Sequence, residues 1–112
     1  MQVKAISKNT GVSASKVRLY IDLVRGKKVA EALAILRFAP SPTAMHVAKT
    51  VKSAAANAEN NYQLEPADLK IVQIFADGVT ALKRHKPRSR GRVSPILKRS
   101  SNITVVVADQ EV

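Results

Sequence analysis

The chain has 112 residues, no cysteine, and 19 lysines and arginines against 8 acidic side chains, for a formal net charge of +11. That length suits one domain, spanning residues 1–112. The missing thiols exclude disulfides, thiolate nucleophiles and every zinc site that needs sulfur, and fit a reducing compartment. The charge points to a polyanionic partner.

Only Tyr20, Phe38, Tyr62 and Phe75 are aromatic, so valine, isoleucine, leucine and alanine must build the core. Such a core is small, and modest stability is expected. Met1 leads straight into an alternating segment, with no apolar signal core. No apolar run approaches the ~20 residues of a membrane span.

Val3, Ala5 and Ile6, with Lys4 and Lys8, read as a short strand ended by Asn9-Thr10-Gly11. Ser13 suits an N-cap. Val17, Tyr20, Ile21 and Val24 then follow at the spacing of one helical face, and Gly26 supplies a left-handed stop. Val29, Ala32, Leu33 and Leu36 repeat the helical pattern until Phe38-Ala39-Pro40 ends it.

Ser41-Pro42 opens a third helix, serine as cap and proline at the first position. Its apolar face reads Ala44, Val47, Val51, Ala54 (or Ala55), Ala58 and Tyr62. The period then changes. Leu69 to Ala76 and Ile103 to Val107 are rich in β-branched residues and read as strands, with Phe75 assigned to the core.

Between those strands lies the most informative stretch. From Gly78 to Ala108 there is no acidic side chain, yet Lys83, Arg84, Lys86, Arg88, Arg90, Arg92, Lys98 and Arg99 all fall within it. The simplest connection is an antiparallel hairpin turning near Ser89-Arg90-Gly91, pairing Asp77 with Asn102 and Ile71 with Ala108. The extension, residues 78–101 approximately, would project roughly 40 Å if extended at ~3.3 Å per residue. An isolated two-stranded ribbon is marginal in water, so its tip is expected to be ordered, or fully straightened, only when something surrounds it.

The bland explanation of this segment is a solvated charged loop. Solvated loops usually mix signs, and this one excludes acids, which favours nucleic acid. Arg88, Arg90 and Arg92 alternate, so in an extended strand they share a face and each guanidinium forks onto phosphate oxygens. Ser89 and Gly91 leave the other face small. A second, weaker cluster comprises Lys16, Arg18, Arg25, Lys27 and Lys28 around the first helix. Lys49 and Lys52 on the third helix fit an ordinary solvated face.

Catalysis finds little support. His46 and His85 have no carboxylate or thiol spaced to form a site, the glycines are scattered singly, and no carboxylate pair suggests a dyad. No metal, cofactor or small-molecule substrate is expected. With Phe75 placed in the core, recognition would depend on RNA shape and phosphate rather than stacking. A DNA-compacting arm is the rival; it would prefer dimers, and nothing in the sequence suggests a dimer interface. The expected fold class is α+β: about three helices packed on a three-stranded antiparallel sheet, with a long protruding basic hairpin.

That order of elements resembles the large-subunit ribosomal protein family numbered twenty-two. Lys83, Arg88-Ser89-Arg90-Gly91-Arg92, Ile96-Leu97-Lys98-Arg99 and Asn102-Ile103-Thr104-Val105-Val106-Val107 resemble its C-terminal signature. Ser15-Lys16-Val17-Arg18-Leu19, Leu23-Val24-Arg25-Gly26-Lys27 and Ala54-Ala55-Ala56-Asn57-Ala58-Glu59-Asn60-Asn61 are similar to its earlier motifs.

The resemblance implies a bacterial or organellar structural ribosomal protein, located in the ribosome of the cytoplasm or organelle. Its body would bind large-subunit (23S-type) RNA near the tunnel exit, beside other large-subunit proteins. It would aid early assembly. Its hairpin would line the exit tunnel and meet the nascent polypeptide. No membrane partner and no homo-oligomer are expected.

Overall fold

The computed structural model describes residues 2–8, 10–39, 41–79, 82–87, 91 and 93–109. In chain order these form β1 (Gln2–Ser7), α1 (Ala14–Val24), α2 (Val29–Arg37), α3 (Pro42–Tyr62), a 3₁₀ turn (Pro66–Asp68), β2 (Leu69–Gly78), β3 (Leu82–Pro87), β4 (Val93–Lys98) and β5 (Ser101–Asp109). The α+β class holds, with three helices and a three-stranded antiparallel sheet of order β1-β5-β2.

Local chemistry sets the helix ends. Gly26 has φ 79°, the left-handed conformation that glycine adopts without steric cost, so it stops α1 just past Arg25. Ser41 Oγ accepts the Thr43 N–H at 3.2 Å, with Pro42 behind it at the first turn. Such a cap is worth about 1 kcal/mol. Ser13 occupies the N-cap of α1, but its hydroxyl lies 3.4 Å from Ser15 Oγ and makes no capping bond.

Burial follows these faces. Val17, Ile21 and Val24 of α1, Val29, Ala32 and Leu36 of α2, and Ala44, Val47, Val51, Ala54 and Ala58 of α3 are buried against Val3, Ala5, Ile71, Ile74, Ile103, Val105 and Val107 of the sheet. α3 lies over β1 and β5, and α1 over β2. The alanines of α3 let its backbone approach the sheet closely.

Two aromatic assignments are corrected. Tyr62 is 51% exposed, because Gln63 turns left-handed (φ 55°) and the Leu64 N–H returns to the Ala58 carbonyl at 3.1 Å. Leu64, partly buried, packs against the core instead. Phe75 is 42% exposed and faces away from the helices. The cause is a register shift between Ile71 and Gln73. A bulge at Val72 reverses the in–out alternation, so Ile74 and Ala76 turn inward and Phe75 outward. The same bulge pairs Ile71 with Val107 rather than Ala108, while Asp77 pairs with Asn102 as expected.

Beyond the sheet the hairpin continues as a second ladder, β3 with β4, running from Leu82↔Lys98 to Pro87↔Val93. The Val79 N–H donates to the Ser100 carbonyl at 3.2 Å and links the two ladders. Gly91, with φ 72°, lies within the span bracketed by Pro87 and Val93. Ser89 and Arg90, the rest of the expected turn, lie outside the described residues. The protein measures 64 × 26 × 19 Å, with a radius of gyration of 17.1 Å. A compact chain of this length would have a radius near about 13 Å, so the ribbon projects.

Candidate nucleic-acid interface

The ribbon is the first cationic surface. β3 carries Lys83, Arg84 and Lys86, β4 carries Lys98, and exposed Arg99 follows directly. The backbone partners of Lys83, Arg84, Lys86 and Lys98 across the ladder are Leu97, Ile96, Ser94 and Leu82 in turn. None of these cations is registered opposite a carboxylate, so the ladder contains no cross-strand charge compensation of the usual kind. Arg88, Arg90 and Arg92 lie outside the described residues.

The second surface forms where the α1–α2 connection meets the outer edge of β2. Lys27 and Lys28 lie at this corner, Arg25 and Arg18 follow along α1 beside β2, and Lys16 stands in the first turn of α1 away from the corner. All five are exposed. Backbone bonding fixes the corner: the Ile71 N–H donates to the Lys27 carbonyl at 2.9 Å, and Lys28 makes an antiparallel bridge with Lys70. Two lysines at directly opposed positions repel one another, which an anion would relieve. Lys70 is absent from the sequence-derived set, because only this tertiary bridge brings it to the corner.

Arg18 and Arg25 have a structural partner as well. Arg18 Nη2 donates to the Ala76 carbonyl at 3.0 Å, and Arg25 Nη2 donates to the Ile74 carbonyl at 3.4 Å. Both carbonyls belong to β2, whose outer edge would otherwise present unpaired acceptors. Arg25 also pairs with Asp22 at 2.8 Å. Both partners are over half exposed, and such a pair is worth little. A guanidinium has five donors, so each arginine retains donors for phosphate while anchoring α1 to the sheet.

Lys49 and Lys52 stand exposed beside a groove between α2 and α3, consistent with a solvated face. His46 is half-buried on α3 and its carbonyl accepts the Thr50 hydroxyl at 2.9 Å. Among the described residues, no group of three or more His, Asp and Glu could hold a metal ion.

The arrangement therefore offers two sets of cations on rigid supports, with no convergent acid–base or nucleophilic machinery among the described residues. It suits polyphosphate contact by position.

Comparison with known proteins places this geometry in context. A family model described as ribosomal protein L22p/L17e matches residues 5–108. A protein named large ribosomal subunit protein uL22 from Dehalococcoides mccartyi (strain BAV1) is 71% identical over 109 residues, covering 97% of this chain and 100% of that one. Proteins of the same name from Herpetosiphon aurantiacus and Desulforamulus reducens are 54% and 52% identical. They cover 100% and 99% of this chain, and 99% and 98% of their own lengths.

Proposed function

Because this chain belongs to the ribosomal protein L22p/L17e family, we propose that its basic ribbon and its α1–β2 corner are the two surfaces holding it on large-subunit RNA. The protein is a structural constituent of the bacterial large ribosomal subunit, located in the cytoplasmic ribosome. It associates there with ribosomal RNA and other large-subunit proteins.

The ribbon supplies the mechanism. Arg88, Arg90, Arg92, Lys98 and Arg99 neutralise phosphates of RNA segments that would otherwise repel, and let them pack against one extended strand pair. Lys83, Arg84 and Lys86 extend that surface toward the body. Lys16, Arg18, Arg25, Lys27 and Lys28 hold the body itself. The ribbon lines the polypeptide exit tunnel, its tip contacts the nascent chain, and the protein acts as one copy without self-association or catalysis. The observation that carries this reading is the β3–β4 ladder, whose cations have no carboxylate opposite them. Counter-charge must then come from outside the chain.

Competition binding tests the choice of partner. Folded large-subunit RNA should displace duplex DNA from the purified chain at matched nucleotide concentration and moderate salt. Equal affinity for both would reduce the ribbon to a general polyanion binder and overturn the reading.

A further inference from the structure

Among the described residues, the helices cover one face of the sheet and leave the other open. Register places its residues in rows across the three strands. Ile6, Thr104 and Phe75 form one row, and Lys4, Val106 and Gln73 the next. Ile6 is 45% exposed and Phe75 42%, while Thr104 between them is 7% exposed. Adjacent strands lie about 4.8 Å apart, so the row is a shallow saddle about 10 Å across with the small threonine as its floor.

We propose that this open sheet face is a third RNA contact, with Phe75 as the platform on which an unpaired base stacks. The proposal rests on the reading of the chain as a large-subunit RNA binder, and adds a base-stacking site to surfaces that otherwise meet phosphate.

Several observations favour a base over a protein partner. The fully buried core residues are aliphatic, Tyr20 packs against them only partly buried, and Phe75 is left exposed. A phenylalanine turned outward at mid-strand forfeits burial that the fold could have used. Sheets that read single-stranded RNA display aromatics in this manner, and stacking tolerates any base. Lys4 stands exposed in the adjacent row, placed to meet a phosphate flanking a stacked nucleotide. Gln73 offers an amide beside the ring for a base edge. Finally, β2 and β5 run directly into the ribbon strands, so RNA following the ribbon arrives at this face.

The test is filter binding of the full chain to a protein-free large-subunit RNA transcript across a salt series. Phe75→Leu should weaken binding about tenfold, and Phe75→Tyr should stay within about twofold of the parent. Neither should change the slope of log affinity against log salt, since no phosphate contact is lost. Circular dichroism should show both variants folded, as Phe75 lies outside the core. Parental affinity in Phe75→Leu, or a flattened slope, would overturn the proposal while leaving the phosphate surfaces standing. Parental RNA affinity combined with loss of Phe75→Leu from assembled subunits would assign the face to a protein neighbour and overturn it equally. Failure of the parent chain to bind the transcript would defeat the RNA reading itself.

Discussion

Replacing Arg88, Arg90 and Arg92 together by alanine is expected to lower affinity for large-subunit RNA about a hundredfold at ~0.1 M salt, on the order of 1 kcal/mol per lost contact. These positions alternate along the chain, and no acidic residue lies nearer than Asp77 on one side and Asp109 on the other. The body should remain folded, because the core among the described residues is built from α1, α2, α3, β1, β2 and β5. Gel-shift or filter binding measures the first effect and far-ultraviolet circular dichroism the second. An unfolded body would make the arginines structural and contradict the assignment.

The second large effect is on stability. Ile21 is fully buried on α1, where that helix crosses β2. Ile21→Ala removes three carbons from a packed interior and should cost about 2–5 kcal/mol, from the lost transfer energy together with the cavity left behind. A domain of this size has roughly 5–15 kcal/mol in total, so the variant should melt roughly 10–20 °C lower. The effect should pass to RNA binding as well, since α1 carries Arg18 and Arg25 to the edge of β2. Thermal melting of the free protein decides this; a change below about 1 kcal/mol would mean that α1 does not seal the sheet.

The sequence carries much of the fold because its signals are local. Ser41-Pro42 and Gly26 mark helix ends through backbone chemistry that needs no tertiary partner. The spacing of Val17, Ile21 and Val24 specifies a face whatever that face meets. What escaped is non-local. Strict alternation from Leu69 would bury Gln73 and Phe75 together. The bulge at Val72 reverses the phase, and nothing in Leu69–Ala76 alone announces a bulge. Tyr62 falls on the apolar face of α3 by spacing, yet the left-handed turn at Gln63 brings Leu64 against the core in its place.

The interface divides along the same line. The ribbon cations are contiguous in sequence and visible as composition. The corner is not, for Lys70 reaches Lys28 only through a bridge between distant segments. The double engagement of Arg18 and Arg25 follows equally from tertiary placement. A cationic side chain reads as a ligand contact until the carbonyl it caps is seen, and here each guanidinium has donors enough for both tasks.

The claim beneath all of this is that the ribbon's charge is compensated by phosphate from outside the chain. The dependence of RNA affinity on salt measures that compensation directly. With ~6–8 phosphates neutralised, log affinity against log salt should fall with a slope of roughly −4 to −7. A slope near about −1 would mean that the basic side chains are bystanders to binding.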